Sequence, residues 1–354
     1  MVKRIKGDLC HDLLVAKTVG KLSFDENNNF TEWQGKTKDK FRELMGIDNI
    51  EKNACSLNID IEEITERESF KQIRFTFESE IGAVVPCYLL VPHKVTGAVP
   101  LAITLQGHST GFHNSIGVAK YENDAQRYDY PRNCFAIQAV NNGFAALCIE
   151  QRGMGETGSP RTFGEDVIFT PFRHTCAFTA LNAINLGRTL IGERVWDVTK
   201  AIDAMEHFED YGIDLEKIII TGNSGGGTTS YYAACFDERI KYSAPSCGFC
   251  SFEKSLMDVE HCACNYIPQI CNWFEMSDLS ALIAPRNLTV FAGKYDPVFP
   301  IDGVKDAFEV VKKIYKTANA EANCDLVEMP KDHYWCDDYI WPKIMEDTSR
   351  MGWW

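Results

Sequence analysis

Residues 218–228 read Ile-Ile-Ile-Thr-Gly-Asn-Ser-Gly-Gly-Gly-Thr, and this segment constrains the fold more than any other part of the chain. A β-branched run leads into the pattern Gly-x-Ser-x-Gly, centred on Ser224, and a helical stretch follows. So tight a turn from strand to helix leaves space only for very small residues beside the serine, which Gly222 and Gly226 provide. The pattern predicts a nucleophilic serine held clear of a sheet at the N-terminus of a helix.

A serine hydroxyl needs a base, and that base needs a group that orients it. Asp296 and His333 each follow a predicted strand, and they continue the chain order serine, acid, histidine. Asp302 is a rival carboxylate, but because it precedes a helical run we interpret it as an N-cap. The predicted catalytic residues are therefore Ser224, Asp296 and His333.

Acyl transfer also requires two donors for the developing oxyanion. The backbone N–H of Gly225 is one candidate, because Gly225 directly follows the serine. Residues 106–111, Gln-Gly-His-Ser-Thr-Gly, follow a predicted strand, and the glycines allow this loop to turn towards the serine. We predict an oxyanion hole formed by the backbone N–H groups of Gly225 and His108.

Short apolar segments alternate with amphipathic ones along most of the chain. Two β-rich runs, 71–78 and 83–91, predict an antiparallel hairpin. The later alternation predicts a mostly parallel sheet flanked by helices, with the hairpin at one edge. The predicted later strands are Leu101–Leu105, Ala145–Glu150, Lys217–Thr221, Ile240–Ala244, Leu288–Ala292 and Asp325–Met329. The predicted helices are Gly192–Tyr211, Gly225–Phe236, Gly303–Lys316 and Asp337–Asp347.

This alternation begins only after an N-terminal segment of mixed polar and helical character. We therefore predict a helical extension over 1–68, in which one helix runs from Thr31 to about Met45. A single catalytic domain over 69–354 would follow, since no linker, repeat or low-complexity tract divides it.

Residues 247–285 interrupt the alternation and contain bulky aromatic groups. An insert between two sheet strands commonly shapes a pocket, because loops at that edge surround the site. We expect three of its residues, His261, Tyr266 and Trp273, to line the substrate pocket.

The same insert contains five cysteines and one histidine, residue types that bind zinc. Its cysteine pairs do not have the usual repeated spacing, and buried reduced thiols explain them equally well. Both interpretations stay open, and no metal or cofactor is assigned. The zinc interpretation concerns four of these cysteines and the histidine, which are Cys247, Cys250, His261, Cys262 and Cys264.

Charge and hydropathy limit the partners. The chain carries 36 basic and 50 acidic residues, a net charge of −14, so its average field repels nucleic acid and anionic membranes. It contains no apolar stretch of membrane-spanning length and no apolar secretory core near its N-terminus. We therefore expect a cytoplasmic protein with reduced thiols and a small-molecule substrate, and a homo-oligomer stays open.

Together these motifs resemble the α/β-hydrolase superfamily, and within it the acetyl xylan esterase and dienelactone-hydrolase-like branch. Residues 106–108 stand where that branch commonly has His-Gly-Tyr, with Gln in place of His. Residues 150–155 resemble its Asp-x-Arg-Gly-x-Gly loop, and the resemblance implies that Arg152 anchors loops by salt bridges. Segments 186–197 and 284–288 also resemble parts of the family.

The resemblance implies the α/β-hydrolase fold and a serine carboxylic ester hydrolase that works through an acyl-enzyme. It further implies deacetylation of small esters or acetylated oligosaccharides. The alternatives are a serine peptidase or amidase of the same fold and a binding module that has lost catalysis. The complete set Ser224, Asp296 and His333 argues against the binding module, because such a module is expected to lack at least one of them.

Overall fold

A nine-stranded sheet forms the centre of the protein. The computed structural model describes residues 9–93, 97–121, 124, 132–158 and 173–354. The strands lie side by side in the order β1-β2-β3-β5-β4-β6-β7-β8-β9. Their bounds are β1 Asp60–Glu66, β2 Phe70–Glu80, β3 Ala83–Pro92, β4 Val99–Leu105, β5 Ala145–Ile149, β6 Ile213–Asn223, β7 Ile240–Ser246, β8 Asn287–Gly293 and β9 Cys324–Met329.

Pairing within the sheet changes direction once. The β1–β2, β2–β3 and β3–β5 pairs are antiparallel, whereas the pairs from β5 through β4 to β9 are parallel. The hairpin predicted at the edge is present as β2 and β3, although β1 lies outside it. Every residue of β4, β5 and β8 is buried, as expected for parallel strands that are covered on both faces.

Helices pack on this sheet, and the four predicted ones are present. The segment predicted as one helix over 192–211 is an α-helix that continues into a 3₁₀ turn, Met205–Tyr211. The described helices are α1 Leu9–Val15, α2 Phe30–Met45, α3 Ile47–Glu51, α4 Phe135–Asn141, α5 Arg173–Asn185, α6 Leu190–Ala204, α7 Gly225–Phe236, α8 Ile301–Thr317 and α9 Asp337–Arg350. None of them is long and apolar enough to cross a membrane.

The N-terminal extension shares the core and the sheet of the catalytic domain. Helix α2 buries Trp33, Phe41 and Met45, and the Phe41 ring lies 5.4 Å from that of Tyr232 in α7. The prediction of a purely helical extension was wrong for β1, which pairs with β2. Its charged residues gave no strand signal, because an exposed edge strand is held mainly by backbone hydrogen bonds.

Salt bridges join the loop after β5 to two neighbouring elements, as the resemblance implied. Arg152 makes two hydrogen bonds of 2.7 Å to Asp197 in α6 and one of 2.6 Å to Glu80 at the end of β2. Arg188 also contacts Glu80, and Glu193 lies 3.5 Å from Arg152. Buried carboxylates of this kind stay ionised only beside cations, so Arg152 fixes the loop that follows β5.

We predict that Arg152→Met lowers the free energy of unfolding by about 3–5 kcal/mol, because it leaves buried carboxylates short of a cation. Urea denaturation at pH 7 measures this loss, which should shrink towards pH 4 as carboxyl groups become protonated. The matched control is Lys36→Met, which removes an exposed pair with Glu32 and should change stability by at most about 0.5 kcal/mol. Equal effects of the two substitutions would contradict a structural role for Arg152.

Candidate active site

Ser224 occupies the sharp turn between β6 and α7. Its backbone has φ 58° and ψ −124°, a region that a serine adopts only under strain. The Ser224 N–H donates to the carbonyl of Ser246 at the end of β7, at 2.9 Å. The serine is therefore held between two strand ends and directly before the N-terminus of a helix, as the motif predicted.

The glycines around Ser224 are required by close backbone contacts. A Cβ on Gly222 would lie 2.5 Å from the Leu105 carbonyl oxygen, and one on Gly226 would lie 2.2 Å from the same atom. These distances are too short for any real side chain, and the obstacle is backbone at the end of β4. The spacing Gly-x-Ser-x-Gly thus follows from how closely β4 approaches the turn.

Asp296 and His333 meet after strands β8 and β9. His333 Nδ1 lies 2.8 Å from Asp296 Oδ2, and the aspartate side chain is fully buried. The other aspartate oxygen accepts backbone N–H groups of Val298 and Phe299, at 2.8 and 3.0 Å. With Nδ1 donating to the carboxylate, Nε2 is the nitrogen that can accept a proton from a serine.

The structure separates the two candidate carboxylates. Asp302 lies exposed in the first turn of α8 and is absent from the pair that Asp296 forms with His333. It is also not the N-cap that we expected, because Pro300 occupies that position and the helix begins one residue before Asp302.

The loop after β4 lies against the serine turn. A Cβ on Gly107 would be 2.6 Å from the Asn223 carbonyl oxygen and 3.0 Å from Ser224 Cβ. Gln106, which replaces the family's histidine, donates to Ser115 Oγ and the Asn133 carbonyl, at 2.7 and 2.8 Å. Gln106 therefore anchors this loop by side-chain hydrogen bonds.

The two predicted oxyanion donors belong to elements that touch each other. Gly225 begins α7, so its N–H has no partner within the helix. A Cβ on Gly225 would lie 3.2 Å from the Nδ1 and Cε1 atoms of His108. The backbone N–H groups of Gly225 and His108 remain our prediction for the oxyanion hole.

His261, one of the expected pocket residues, lies near the pair formed by Asp296 and His333. The His261 ring packs at 5.2 Å on Phe299, and Phe299 stacks at 5.8 Å on His333. His261 Nε2 lies 3.0 Å from Ser255 Oγ, and burial, its largest influence, lowers the pKa of His261. A neutral imidazole therefore lies one ring away from His333.

The other two expected pocket residues lie elsewhere in the insert. Tyr266 lines a cavity of about 300 Å³ whose lining includes no residue of the predicted triad, and its hydroxyl donates to the Leu256 carbonyl at 2.9 Å. The ring of Trp273 lies below the amino groups of Lys21 and Lys40, at 4.5 and 4.1 Å. Trp273 thus contacts the N-terminal extension, and its assignment to the substrate pocket stays a prediction.

Cys247 adjoins the pair formed by Asp296 and His333, a contact that the sequence did not predict. Its sulfur lies within 4.8 Å of the nearest ligand atoms of Asp296 and His333, and its backbone has φ 46°. Burial raises the pKa of Cys247 to about 12, which favours the neutral thiol at neutral pH. Its position immediately after β7, at the edge where the other strand ends meet, was the available signal.

The zinc set considered from sequence is not brought together. Cys247 lies beside the catalytic pair, Cys250 points its sulfur at the Pro300 carbonyl at 3.6 Å, and His261 contacts Ser255. Only Cys262 and Cys264 of that set lie together, and they meet two residues from other parts of the chain, His108 and Cys176.

Comparison with known proteins agrees with the topology. The family model described as "Abhydrolase family" matches residues 11–174, just under half of the chain. The protein named "Putative hydrolase YtaP" of Bacillus subtilis (strain 168) is 25% identical over 252 residues, which cover 70% of this chain and 78% of that protein.

Two solved structures share the architecture almost from end to end. A "putative acetyl xylan esterase" from Bacteroides fragilis NCTC 9343 superimposes with a TM-score of 0.79 at 15% identity, covering 97% of this chain and 95% of that one. A glucuronoyl esterase from Solibacter usitatus gives a TM-score of 0.63 at 13% identity, covering 94% and 98%. The strand order, the serine turn and these similarities show the α/β-hydrolase fold that the motifs predicted.

Proposed function

We propose that the protein is a serine carboxylic ester hydrolase. The observation that carries the proposal is the strained Ser224 at the end of β6, combined with the 2.8 Å contact between His333 and the buried Asp296. Burial of the carboxylate and its two backbone hydrogen bonds fix the histidine in the tautomer that can act as a base. The two similar solved structures bear the names of carbohydrate esterases, which adds support.

Each residue has a defined role in the proposed reaction. Ser224 Oγ attacks the ester carbonyl carbon while His333 Nε2 takes the hydroxyl proton, and Asp296 stabilises the imidazolium. The N–H groups of Gly225 and His108 donate to the oxyanion. The imidazolium then protonates the leaving alcohol, and water hydrolyses the acyl-enzyme with His333 again acting as the base.

For the substrate, we propose a small acyl group, most plainly acetyl, on a polar alcohol such as a sugar. The names of the similar structures favour a carbohydrate ester, and the insert places His261 beside the catalytic pair, where it could contact a hydroxyl group. We also propose that the protein works in the cytoplasm, because no disulfide joins its 14 cysteines in the part of the chain that the structure describes.

The catalytic assignment predicts opposite outcomes for two neighbouring aspartates. Asp296→Asn should lower kcat for p-nitrophenyl acetate by roughly 10³–10⁴-fold, because the amide cannot stabilise the imidazolium. Asp302→Asn should change kcat by at most about twofold, since this exposed side chain is not part of the pair with His333.

Steady-state kinetics and a thermal melt of each variant separate lost chemistry from lost folding. Ser224→Ala serves as the reference for complete loss, expected at about 10⁶-fold. Comparable damage from Asp296→Asn and Asp302→Asn, with both variants folded, would contradict the acid assignment.

The substrate proposal predicts a preference for short acyl chains. Across p-nitrophenyl esters from acetate to decanoate, kcat/KM should be highest at acetate or propionate and at least about tenfold lower at octanoate, because the acyl site that we propose is small and does not accommodate a long chain. Acetylated xylo-oligosaccharides should release acetate.

Two further substrates discriminate related activities in the same experiment. Faster hydrolysis of a benzyl ester of glucuronic acid than of acetylated sugars would indicate that the sugar supplies the acyl group of the substrate and is not the alcohol. Efficient cleavage of aminoacyl anilides would indicate a peptidase and would overturn the ester proposal.

A further inference from the structure

Four side chains of types that bind metal ions converge beside the loop after β4. His108 comes from the loop after β4, Cys176 from α5, and Cys262 and Cys264 from the insert between β7 and β8. Their ligand atoms all lie within 4.8 Å of one another. Cys176 and Cys264 are buried, while His108 and Cys262 are partly buried. Three segments that are far apart in sequence therefore bring one imidazole and three thiols to a single point.

The distances match a tetrahedral site. Zinc at about 2.3 Å from sulfur and about 2.0–2.1 Å from nitrogen requires sulfur–nitrogen separations of about 3.6 Å at tetrahedral angles. His108 Nε2 lies 3.3 Å from Cys264 Sγ and 3.6 Å from Cys176 Sγ. Three sulfurs and one imidazole nitrogen form a complete ligand set for a structural zinc ion.

A buried cation beside the cluster fits the charge of such a site. Arg194 is 1% exposed, and its guanidinium donates to Cys176 Sγ at 3.0 Å and to the Arg152 carbonyl at 2.8 Å. Among the described residues, no carboxylate lies within ion-pair distance of Arg194. A zinc ion with three thiolates and a neutral histidine carries one negative charge, which Arg194 would balance.

A bound zinc ion requires the thiolate form of each cysteine, so a divalent ion at this point would compensate the charge of three thiolates.

We propose that His108, Cys176, Cys262 and Cys264 bind one Zn²⁺ ion. Four protein ligands leave no open position, so the ion acts structurally and takes no part in the chemistry. It ties the insert and α5 to the loop that contains His108. Because ring and N–H belong to one residue, fixing the ring through Nε2 also holds the predicted oxyanion donor; this consequence alone depends on the proposed function.

Metal analysis of the full-length protein tests the site without any substrate. The protein is expressed in zinc-supplemented medium and desalted into metal-free buffer. Inductively coupled plasma mass spectrometry should then find about one zinc per chain. Cys264→Ser and Cys262→Ala should each lower this to below about 0.1 per chain. Because Cys262 is only partly buried, Cys262→Ala is the variant best suited to remain folded, which circular dichroism verifies.

The matched control is Cys271→Ser, in the same insert but outside the cluster, which should keep its zinc. Replacing zinc by Co²⁺ in the wild type should give the visible bands of tetrahedral cobalt and thiolate charge-transfer bands. The proposal is overturned if the wild type holds no zinc, if Cys262→Ala and Cys264→Ser keep it, or if two of these cysteines form a disulfide. None of these outcomes bears on the serine, so the two proposals can fail separately.

Discussion

The backbone at the end of β4 presses against the serine turn, and the arrangement of the site depends on this contact. Leu105 lies so close to Gly222 and Gly226 that a methyl group at either position would meet its carbonyl oxygen. This proximity holds Ser224 at a positive φ, a strain that costs about 1–3 kcal/mol and that the surrounding sheet must offset. It also brings the loop after β4 next to Ser224, where the proposed mechanism requires an oxyanion donor.

Buried charges hold the loops around this centre. Arg152 fixes the segment after β5 through Asp197 and Glu80, and Arg194 donates to the carbonyl of Arg152. Arg194 in turn contacts the thiol cluster that includes His108 and residues of the insert. A chain of polar contacts thus runs from the end of β2 to the loop after β4. Networks of this kind are rigid only when every member is satisfied, which explains how an added metal ion would stabilise the site.

Local sequence signals were sufficient for the parts of the site that depend on local structure. The serine turn, the carboxylate after β8 and the histidine after β9 follow directly from strand ends and chain order. Strand β1 could not be predicted, because its residues are mostly exposed and show no apolar periodicity. Backbone pairing with β2 holds it in the sheet. The contacts of Trp273 could not be predicted, because an aromatic residue in an insert gives no indication of which surface it covers; here its ring contacts two lysines of the extension.

The cysteine cluster is a second feature that local sequence signals could not predict. Cys262 and Cys264 were recognised as candidate ligands, but their partners His108 and Cys176 lie far away in sequence and meet them only in the folded chain. Spacing rules detect metal sites whose ligands come in local pairs, and three separate segments supply this one. The imidazole of His108 was not selected as a ligand, because its position in the loop after a predicted strand pointed first to its backbone N–H.

The central claim is that Ser224 is an activated nucleophile, and labelling with a fluorophosphonate tests it most directly, because only an activated serine reacts. Intact mass spectrometry of the native protein should show one added phosphonyl group, and peptide mapping should locate it on Ser224. The label should be absent after heat denaturation and in His333→Ala. A native, folded protein that remains unlabelled, or one labelled at another residue, would contradict the account.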